Sequence, residues 1–513
     1  MKLNNKRTIL VGFAFFLILA FWQAYDTIVP LILTNKFGMS QFWSGVIMAL
    51  DNVLALFLLP LFGTLSDKHK GKSGRRTPFI RFGTIAAVIL LVALTFADSA
   101  QLKQINAVST VDDPAALELI YDTQADRELV RPNKTKATLQ EEKFVLSSEI
   151  TREDFIAIRS TTEKDGKEVA NPDYVNYVVP ARQAYVWQVT TQSPQPLIMF
   201  VGILLLLLVA MATFRSPAVA LMPDVTIKPL RSKANAIINL MGYVGGIFVM
   251  VLGMVFATGA EKNFMMSYTG YFCAVAGLML VALIVFLCTV REPKWAEEMH
   301  EESVRLGLTD AEEPEQGEKR KLTGGEKRSL LLVLASVVLW YFGYNAISSK
   351  YSVYATNILS KDFNLTLTIG TAAAIVSFVP VGFLSSKIGR KKAILMGVAL
   401  LAAAFCTAIF VDPNSSDILI YAIFILAGFA WATINVNSFP MVVEMCSEGD
   451  VGKYTGYYYT ASMAAQTLTP MVSGFMMDKL GMGVLFPYAA IFVAGSFVTM
   501  LFVKHGDAKP DAA

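Results

Sequence analysis

The residues from Pro60 to Ile80 read Pro-Leu-Phe-Gly-Thr-Leu-Ser-Asp-Lys-His-Lys-Gly-Lys-Ser-Gly-Arg-Arg-Thr-Pro-Phe-Ile, and they join two long apolar runs. Between the runs stand five cations, namely Lys68, Lys70, Lys72, Arg75 and Arg76. Cationic side chains are costly in hydrocarbon and are enriched in the cytoplasmic loops of membrane proteins. We therefore predict that this loop joins two membrane-spanning helices on the cytoplasmic side.

The composition of the chain indicates a polytopic membrane protein. Hydrophobic residues make up 54% of its 513 residues, which is high for a soluble domain. Runs of about 20 apolar residues, the length that spans a bilayer, occur near 8–34, 41–66, 79–97, 196–222, 234–258, 268–290, 329–356, 366–386, 392–411, 418–442, 454–477 and 482–503. We therefore predict an all-α protein with twelve transmembrane helices.

Basic residues predict the orientation of these runs. The clusters at 319–321, before the seventh run, and at 387–392, after the eighth, fall on the same side as the loop at 68–76. The positive-inside rule places that side in the cytoplasm. Because the number of spans is even, we expect both termini to be cytoplasmic in a cell membrane.

The sequence divides into two halves and two additional segments. We predict an N-terminal six-helix half from residues 1–97 and 195–291 and a C-terminal six-helix half from residues 329–513. A charged cytoplasmic linker at 292–328 joins them. Residues 98–194, with sixteen acidic and eleven basic side chains, form an extracellular insertion between the third and fourth helices.

Alternating apolar residues predict strands in this insertion. Residues 174–179 and 184–189 read as two strands separated by residues 180–183, and residues 144–146 read as a third. A small strand-containing domain here could cap an entrance or bind a partner. The alternative is a tolerated insertion, since surface loops accept additional length at low entropic cost.

Few ionisable residues interrupt the apolar runs, and such residues are functional candidates by default. Asp26, Asp51 and Arg215 lie on the first, second and fourth runs. A proton-coupled transporter needs a carboxylate that alternates between charged and neutral forms beside a cation. We therefore predict that Asp26, Asp51 and Arg215 couple proton and substrate. Alternatively, Asp51 and Asn52 form structural polar contacts between helices.

Aromatic and amide side chains within the runs predict a sugar site. A ring face packs against the C–H side of a sugar, while amides and a guanidinium bind its hydroxyls. The predicted substrate-binding residues are Trp22, Gln23, Tyr25, Arg215, Asn345, Trp431 and Asn435. The alternative for each aromatic residue is packing between helices.

Two motifs resemble the sucrose transporter and SLC45-like (glycoside-pentoside-hexuronide:cation symporter) branch of the major facilitator superfamily. The first is the pattern G-x-x-S-D…G-R-R-x-P-F-I, from Gly63 to Ile80. The other motif is similar to R-x-L-x-x-D…R-x-x-A-N and consists of Arg215, Asp224, Arg231, Ala234 and Asn235.

The resemblance implies the fold of that superfamily and transport by alternating access. It implies a role for Arg215 in sugar and proton coupling. It also implies a cytoplasmic gate formed by Asp67, Arg75, Arg76, Asp224, Arg231 and Asn235. An internal echo agrees with two homologous halves, because Gly389-Arg390-Lys391 follows the eighth run as Gly74-Arg75-Arg76 follows the second.

The sequence contains no phosphate-binding loop, HExxH motif or nucleophile elbow, so we expect neither an ATP-driven pump nor an enzyme, and no cofactor or metal. The predicted function is proton-coupled symport of a sugar or glycoside, with a disaccharide as the expected substrate and sodium as the alternative ion. Two competing hypotheses are an efflux antiporter for amphipathic compounds and a transporter-like nutrient receptor that uses the insertion. The expected partners are the sugar, the ion and the lipid bilayer, without nucleic acid, and the chain is expected to be a monomer.

Overall fold

The computed structural model describes residues 3–132, 142–164, 167–227, 230–260, 263, 265–306, 323–443 and 451–505. Helices dominate this part of the chain, and α1 and α12 continue into π-helical turns at Ile32–Lys36 and Ala355–Leu359. The helices are α1 (Asn5–Leu31), α2 (Gln41–Lys68), α3 (Thr77–Gln104), α4 (Pro114–Gln124), α5 (Leu146–Glu149), α6 (Arg152–Ala157), α7 (Val179–Gln192), α8 (Gln195–Asp224), α9 (Arg231–Val255), α10 (Thr269–Thr289), α11 (Glu292–Arg305), α12 (Gly324–Tyr354), α13 (Phe363–Ile388), α14 (Arg390–Ala408), α15 (Asp417–Val443), α16 (Val451–Leu480) and α17 (Leu485–Leu501).

Ten helices in the described part of the chain are long and apolar enough to cross a membrane. They are α1, α2, α3, α8, α9, α10, α12, α14, α15 and α17. The helices α13 and α16 are not among the ten, and within the described side chains α13 contributes the apolar stretch Phe363–Phe378. The chain is therefore a mostly helical, multi-pass membrane protein, while the count of twelve spans remains a prediction.

The long helices pack as two groups with matching contacts. In the N-terminal bundle (α1–α3 and α8–α10), α1 packs against α9 and α10, and α3 packs against α8 and α10. In the C-terminal bundle (α12–α17), α12 packs against α16 and α17, and α14 packs against α15 and α17. The bundles meet where α2 contacts α16, α9 contacts α13, and α1 contacts α12. The same arrangement thus occurs twice, as in transporters with internal repeats.

Residues 105–194, here called the insertion, form a small unit at one end of the N-terminal bundle, with an apolar core of their own. We call this the insertion end of the bundles, and the opposite end, with residues 69–76, the loop end. The strands of the insertion form two antiparallel pairs, β1 with β2 and β3 with β4. They are β1 (Glu128–Val130), β2 (Lys143–Val145), β3 (Thr161–Lys164) and β4 (Lys167–Ala170). Of the strand predicted at 144–146, Phe144 and Val145 lie in β2, whereas Leu146 begins α5.

The strands predicted at 174–179 and 184–189 are wrong, because these residues are helical. Tyr174–Val178 is a π-helical turn and is followed by α7. The buried residues Val178, Arg182 and Val186 recur every four positions, which is helical spacing. Pro180, predicted to separate two strands, is the second residue of α7, directly after the π-helical turn.

The insertion begins later than the predicted residue 98, because α3 continues to Gln104. Asp98 Oδ1 lies 2.5 Å from Lys36 Nζ, and both side chains are fully buried. The ammonium group of Lys36 is also 4.2 Å from the centroid of the Tyr268 ring. The Gln101 side chain donates a hydrogen bond of 2.7 Å to the Lys36 carbonyl. Asp98 is therefore part of a buried ion pair that joins the ends of α1 and α3.

The predicted linker at 292–328 begins with the helix α11, whose residues Trp295 and Ser303 are buried on one face. Trp295 of α11 is buried, and the guanidinium of Arg7 lies 5.3 Å from the centroid of its ring. Arg7 also pairs with Glu298, one turn further along α11, at 2.6 Å. This face attaches the start of the linker to the N-terminal bundle. Residues 307–322 lie outside the described residues.

Candidate functional site

Buried polar contacts join the two bundles at the insertion end. The π-helical turns that follow α1 and α12 meet there, and the Asn357 side chain donates a hydrogen bond of 3.0 Å to Asn35 Oδ1. Both asparagines are buried. Beside them, Asn364 of α13 donates a hydrogen bond of 3.0 Å to the Thr258 hydroxyl, which follows α9. These contacts close the insertion end between the bundles.

Neither Asn35 nor Asn357 is among the residues predicted from the sequence, although a signal is present. The dipeptide Thr-Asn ends the first apolar run at 34–35 and ends the seventh at 356–357. A polar pair at equivalent places of two repeats would have pointed to a contact between the halves.

Asp26, Asp51 and Arg215 come together inside the N-terminal bundle. They are carried by α1, α2 and α8, and the guanidinium interacts electrostatically with both carboxylates. Arg215 Cζ lies 5.2 Å from the centroid of the Trp22 ring, which is a cation–π distance. Trp22, Asp51 and Arg215 line one small cavity, together with apolar residues such as Leu208. Four predicted site residues are thus neighbours.

The charges of this site do not bind one another directly. Within the described residues, no ion pair of 4.0 Å or less joins Arg215 to a carboxylate. Asp51 Oδ1 instead accepts a hydrogen bond of 2.8 Å from Asn52. Trp22 Nε1 is buried and has no hydrogen-bond partner in the described part of the chain. The site therefore contains polar groups that a ligand could bind.

Gln23 and Tyr25 lie outside this cavity. Gln23 is half-buried and faces Gly246 of α9. Tyr25 is buried, and its hydroxyl donates a hydrogen bond of 3.4 Å to the Met48 carbonyl. The structure therefore places Tyr25 in the contact between α1 and α2.

A stacked pair of aromatic rings lies in the C-terminal bundle. The rings of Tyr344 and Trp431 are parallel to within 1°, and their centroids are 3.6 Å apart. Tyr341 packs edge-on against Trp431, with the ring centroids 5.4 Å apart. Asn435 Nδ2 donates a hydrogen bond of 3.1 Å to the Trp431 carbonyl, whereas Asn345 Nδ2 is buried without a partner among the described residues. The predicted residues of α12 and α15 thus belong to one bundle, while Trp22 and Arg215 belong to the other.

Four of the predicted gate residues form one network at the loop end. Arg75 donates to Asp224 twice, with Nη2–Oδ1 and Nε–Oδ2 distances of 2.6 and 3.0 Å. Arg76 Nε lies 2.8 Å from Asp224 Oδ2, and Arg76 also pairs with Asp67. Burial opposes the charge of Arg76, but its hydrogen bonds to Asp224 and Asp67 raise its pKa overall. The network joins α2, the loop before α3, and α8.

Glu292, the first residue of α11, belongs to the same region and was not predicted. Its Oε1 accepts hydrogen bonds of 2.8 Å from the N–H groups of Arg75 and Arg76. Its Oε2 accepts hydrogen bonds of 2.7 Å from the N–H and the hydroxyl of Thr77. The carboxylate thus caps the positive end of α3. Gly74 has a φ of +100°, and a side chain at this position would overlap the Glu292 carboxylate.

The remaining two predicted gate residues, Arg231 and Asn235, lie on α9. Asn235 is exposed and accepts a hydrogen bond of 3.1 Å from Asn239. Arg231 begins α9, and its side chain lies outside the described residues.

Comparisons with known proteins point to membrane transporters. Residues 330–513 match the family model described as Major Facilitator Superfamily. The chain is 25% identical over 122 residues to the MFS-type transporter ppzB of Metarhizium rileyi (strain RCEF 4871), which covers 24% of this chain and 25% of that protein. It is also 25% identical over 181 residues to the cis,cis-muconate transport protein of Acinetobacter baylyi (strain ATCC 33305 / BD413 / ADP1), which covers 33% of this chain and 41% of that protein. The matched regions thus span a quarter and about two fifths of these curated relatives.

Solved structures of transporters share the fold over the whole chain. The inward-open xylose transporter XylE from E. coli has a TM-score of 0.57 at 15% identity, covering 98% of this chain and 97% of that one. A variant of the nucleoside transporter NupG has a TM-score of 0.52 at 12% identity, covering 98% of this chain and 100% of that one. A bacterial homologue of the iron transporter ferroportin, in an inward-facing state, has a TM-score of 0.57 at 13% identity, covering 98% of this chain and 99% of that one.

The family match and the shared fold indicate a transporter rather than an enzyme, which confirms that prediction. The chain has the fold of solved membrane transporters, and its residues 330–513 match the Major Facilitator Superfamily.

Proposed function

We propose that the chain is a major facilitator transporter that spans the membrane twelve times and carries a sugar or glycoside with a proton by alternating access. The observation that carries this proposal is the site where Asp26, Asp51 and Arg215 interact without a direct ion pair, beside the unpaired indole N–H of Trp22. Buried charges in a membrane protein are expensive and mark substrate and ion pathways.

The count of twelve spans and the two halves are supported by the packing of α13 and α16. Neither helix is among the ten, and they contact α9 and α2 of the other bundle. α13 is 26 residues long with one charged residue, Lys387, so it is long and apolar enough to span a bilayer. α16 is more polar, as a helix that borders a polar path between two bundles can be. We therefore assign residues 1–104 with 195–291 and residues 329–513 to the two halves, with 292–328 as the cytoplasmic linker. The insertion is then extracellular, both termini are cytoplasmic, and the sucrose transporter branch is the proposed relationship.

Proton coupling follows from the composition of the charged site. Two carboxylates face one guanidinium there, so one negative charge is left uncompensated when Asp26 and Asp51 are both ionised. A proton bound to either carboxylate would balance the site and free Arg215 to bind substrate hydroxyls. In the described residues no carboxylate lies within 4.0 Å of Arg215, which is the arrangement that this step requires when a carboxylate has bound its proton.

The same charge balance favours a neutral polyhydroxy substrate. A sugar offers hydroxyls to Arg215 and the Trp22 indole, and it has a C–H face for the stacked rings of Tyr344 and Trp431. The unpaired Asn345 amide adds a hydrogen-bonding group on the opposite side. A dicarboxylate such as muconate, which gives one relative its name, would meet the two carboxylates with unfavourable charge.

Uptake into proteoliposomes tests this proposal. We would measure the accumulation of labelled disaccharides, glycosides, xylose and a dicarboxylate under an imposed proton gradient, an imposed sodium gradient and no gradient. The variants are Arg215→Ala and Asp51→Asn. The matched control is Arg81→Ala on α3, because Arg81 is half-buried and its guanidinium lies over the Phe82 ring, away from this site.

The expected result is that one sugar accumulates only with the proton gradient, and that Arg215→Ala and Asp51→Asn lose accumulation while Arg81→Ala keeps it. A panel in which no sugar accumulates under any gradient would overturn the sugar assignment. Export of amphipathic dyes that is driven by protons moving down their gradient would favour the efflux antiporter. Ligand binding that survives the loss of transport but requires the insertion would favour a receptor.

A further inference from the structure

A lysine of the C-terminal bundle lies fully buried at the insertion end. Lys350 is on α12, and a lysine near the end of an apolar helix ordinarily extends its ammonium group toward water. Here its side chain is completely buried, and Nζ donates a hydrogen bond of 2.8 Å to the backbone carbonyl of Gln41. Gln41 is the first residue of α2, in the N-terminal bundle. The Lys350 side chain thus binds the backbone of the other bundle.

A carboxylate from the same bundle binds the same residue. Asp478, near the end of α16, accepts hydrogen bonds of 2.7 Å from the N–H groups of both Gln41 and Phe42. These are first-turn donors of α2, which have no partner within their own helix. Lys350 and Asp478 interact electrostatically, but they form no ion pair within 4.0 Å in the described part of the chain. The start of α2 lies between them in the hydrogen-bond network.

We infer that Lys350 and Asp478 form a gate that closes the insertion end by binding the first residue of α2 and opens when the two charges pair with each other. This inference rests on the alternating access of the proposed function. The inference names the residues that control one of the two gates of alternating access. They lie at the insertion end, outside the predicted site and outside the network at the loop end.

The exchange of partners follows from the cost of isolated buried charges. When the bundles separate at this end, α2 moves away and both charged groups lose their backbone partners. An unpaired buried ion is strongly unfavourable. Lys350 and Asp478 belong to the same bundle, so they remain close and can bind each other. Each state of the gate therefore satisfies both charges, and neither state leaves an ion without a partner.

Backbone recognition makes the closed state specific. The lysine needs a carbonyl and the aspartate needs N–H groups, and residue 41 presents both. Glycines permit the required close approach of the helices, since Gly45 of α2 lies against the Pro470 carbonyl and Gly474 of α16 lies against the Gln41 carbonyl. The gate therefore recognises the backbone at the start of α2, and the Ser40 side chain adds a hydrogen bond to Asp478.

Distances between spin labels on the two bundles test the gate without any substrate. The labels are placed at Ser267 and Asn414, which are exposed at the insertion end of the N-terminal and C-terminal bundles. The background is the full chain with its four native cysteines replaced by serine. Double electron–electron resonance then reports the populations of a short distance, for the closed gate, and a long one, for the open gate.

The informative variants distinguish binding to the α2 backbone from pairing between Lys350 and Asp478. The exchanged variant Lys350→Asp/Asp478→Lys keeps the attraction between the two positions but places each charge against the wrong backbone group. The matched control is Lys361→Met, because Lys361 pairs with Asp417 at 2.7 Å at the same end but within one bundle. Lys350→Arg is the conservative variant, since it preserves the positive charge and the hydrogen-bond donors that hold the gate closed.

We expect the exchanged variant to populate the long distance about tenfold more than the wild type. Transport by this variant should also stay below that of the wild type. Lys350→Arg should keep most of the short-distance population, and Lys361→Met should match the wild type. If the exchanged variant shows the wild-type distribution, the two residues act as a simple ion pair and the gate is wrong.

A variant without any change of charge provides an independent test. Gln41→Pro removes one N–H that Asp478 accepts, and proline is tolerated at the first position of a helix. Ser40, which precedes it, already has the extended conformation that a residue before proline needs, with ψ of 159°. We expect a several-fold rise of the long-distance population, and no rise would contradict backbone recognition. Because these readouts need no sugar, failure of the sugar assignment and failure of the gate are distinguishable.

Discussion

Asn357 donates a hydrogen bond of 3.0 Å to Asn35, and the two residues occupy equivalent places at the ends of equivalent helices. Each follows a threonine in a π-helical turn. The contact is only half satisfied, because Asn35 Nδ2 and Asn357 Oδ1 are buried without a partner in the described part of the chain. Two buried amides that share a single bond depend strongly on each other.

We predict that replacing one of these asparagines weakens the closed insertion end, while replacing both restores it. Asn357→Leu leaves the Asn35 amide buried with no bond, at a cost of about 1–3 kcal/mol. The double variant Asn35→Leu/Asn357→Leu removes both polar groups at similar volume and should be close to wild type. The populations of the distance between labels at 267 and 414 measure both effects. A double variant that is as open as the sum of the single variants would contradict this prediction.

The helices and their repeat could be predicted because they depend on patterns within short segments. Apolar length identifies most of the spans. The echo between Gly74 and Gly389 also has a structural basis, since both glycines have positive φ values, +100° and +89°, just before α3 and α14. Only glycine adopts such a backbone conformation at low cost. A requirement of the local backbone is therefore visible in the sequence of both halves.

The structure of the insertion could not be predicted in the same way. Residues 174–189 are rich in tyrosine and valine, which favour strands when they lie on a half-buried sheet. In the folded chain they border the core of the insertion with helical spacing, and burial decides the outcome. Tertiary packing overrides a weak local preference here.

The ion pair of Lys36 and Asp98 gives the second prediction. Asp98→Asn leaves the ammonium group of Lys36 buried without a carboxylate, so we expect a loss of about 3–5 kcal/mol in the free energy of unfolding. Replacing both residues, as Lys36→Met/Asp98→Asn, should recover most of that loss because no isolated charge remains. Thermal unfolding of the purified chain in detergent measures the effect as a change in Tm.

An exposed ion pair at the same end provides the control for this measurement. Asp417 is 56% exposed and pairs with Lys361, so Asp417→Asn should cost less than about 1 kcal/mol. Equal losses for Asp98→Asn and Asp417→Asn would show that the burial of Lys36 has no energetic consequence.

Site residues could be predicted where the residue type alone is informative. They could not be predicted where the role depends on a contact with a residue that is distant in the sequence. Asp26, Asp51 and Arg215 stand out because charges are rare in apolar runs. Glu292 does not, since it lies among many acidic residues at the start of a charged segment. Its partners, residues 75–77, are more than 200 positions away in the sequence. Only the packing of α11 reveals this contact.

The carboxylate of Glu292 gives the third prediction. It accepts four hydrogen bonds from Arg75, Arg76 and Thr77. Glu292→Gln replaces one acceptor oxygen by a donor that faces the Thr77 N–H, so we expect a loss of about 2–3 kcal/mol in unfolding free energy. The control is Glu298→Gln, which removes a half-exposed pair with Arg7 and should cost less than about 1 kcal/mol. Chemical unfolding followed by tryptophan fluorescence compares the two, and a Glu292→Gln variant as stable as Glu298→Gln would show that the cap is dispensable.

The stacked rings of Tyr344 and Trp431 give the last prediction, which concerns binding rather than stability. If the exposed part of this pair supports a sugar ring, Trp431→Leu removes the aromatic face and should raise KM for sugar uptake about tenfold, with kcat little changed. Trp431→Phe keeps a ring and should have a smaller effect, so that the order of KM follows the area of the aromatic surface. The control is Trp43→Leu, since Trp43 is 55% exposed on the outer face of α2. A loss of kcat in Trp431→Leu without a rise in KM would instead assign this stack to the packing of α12 against α15, because a binding surface affects the bound state before it affects turnover.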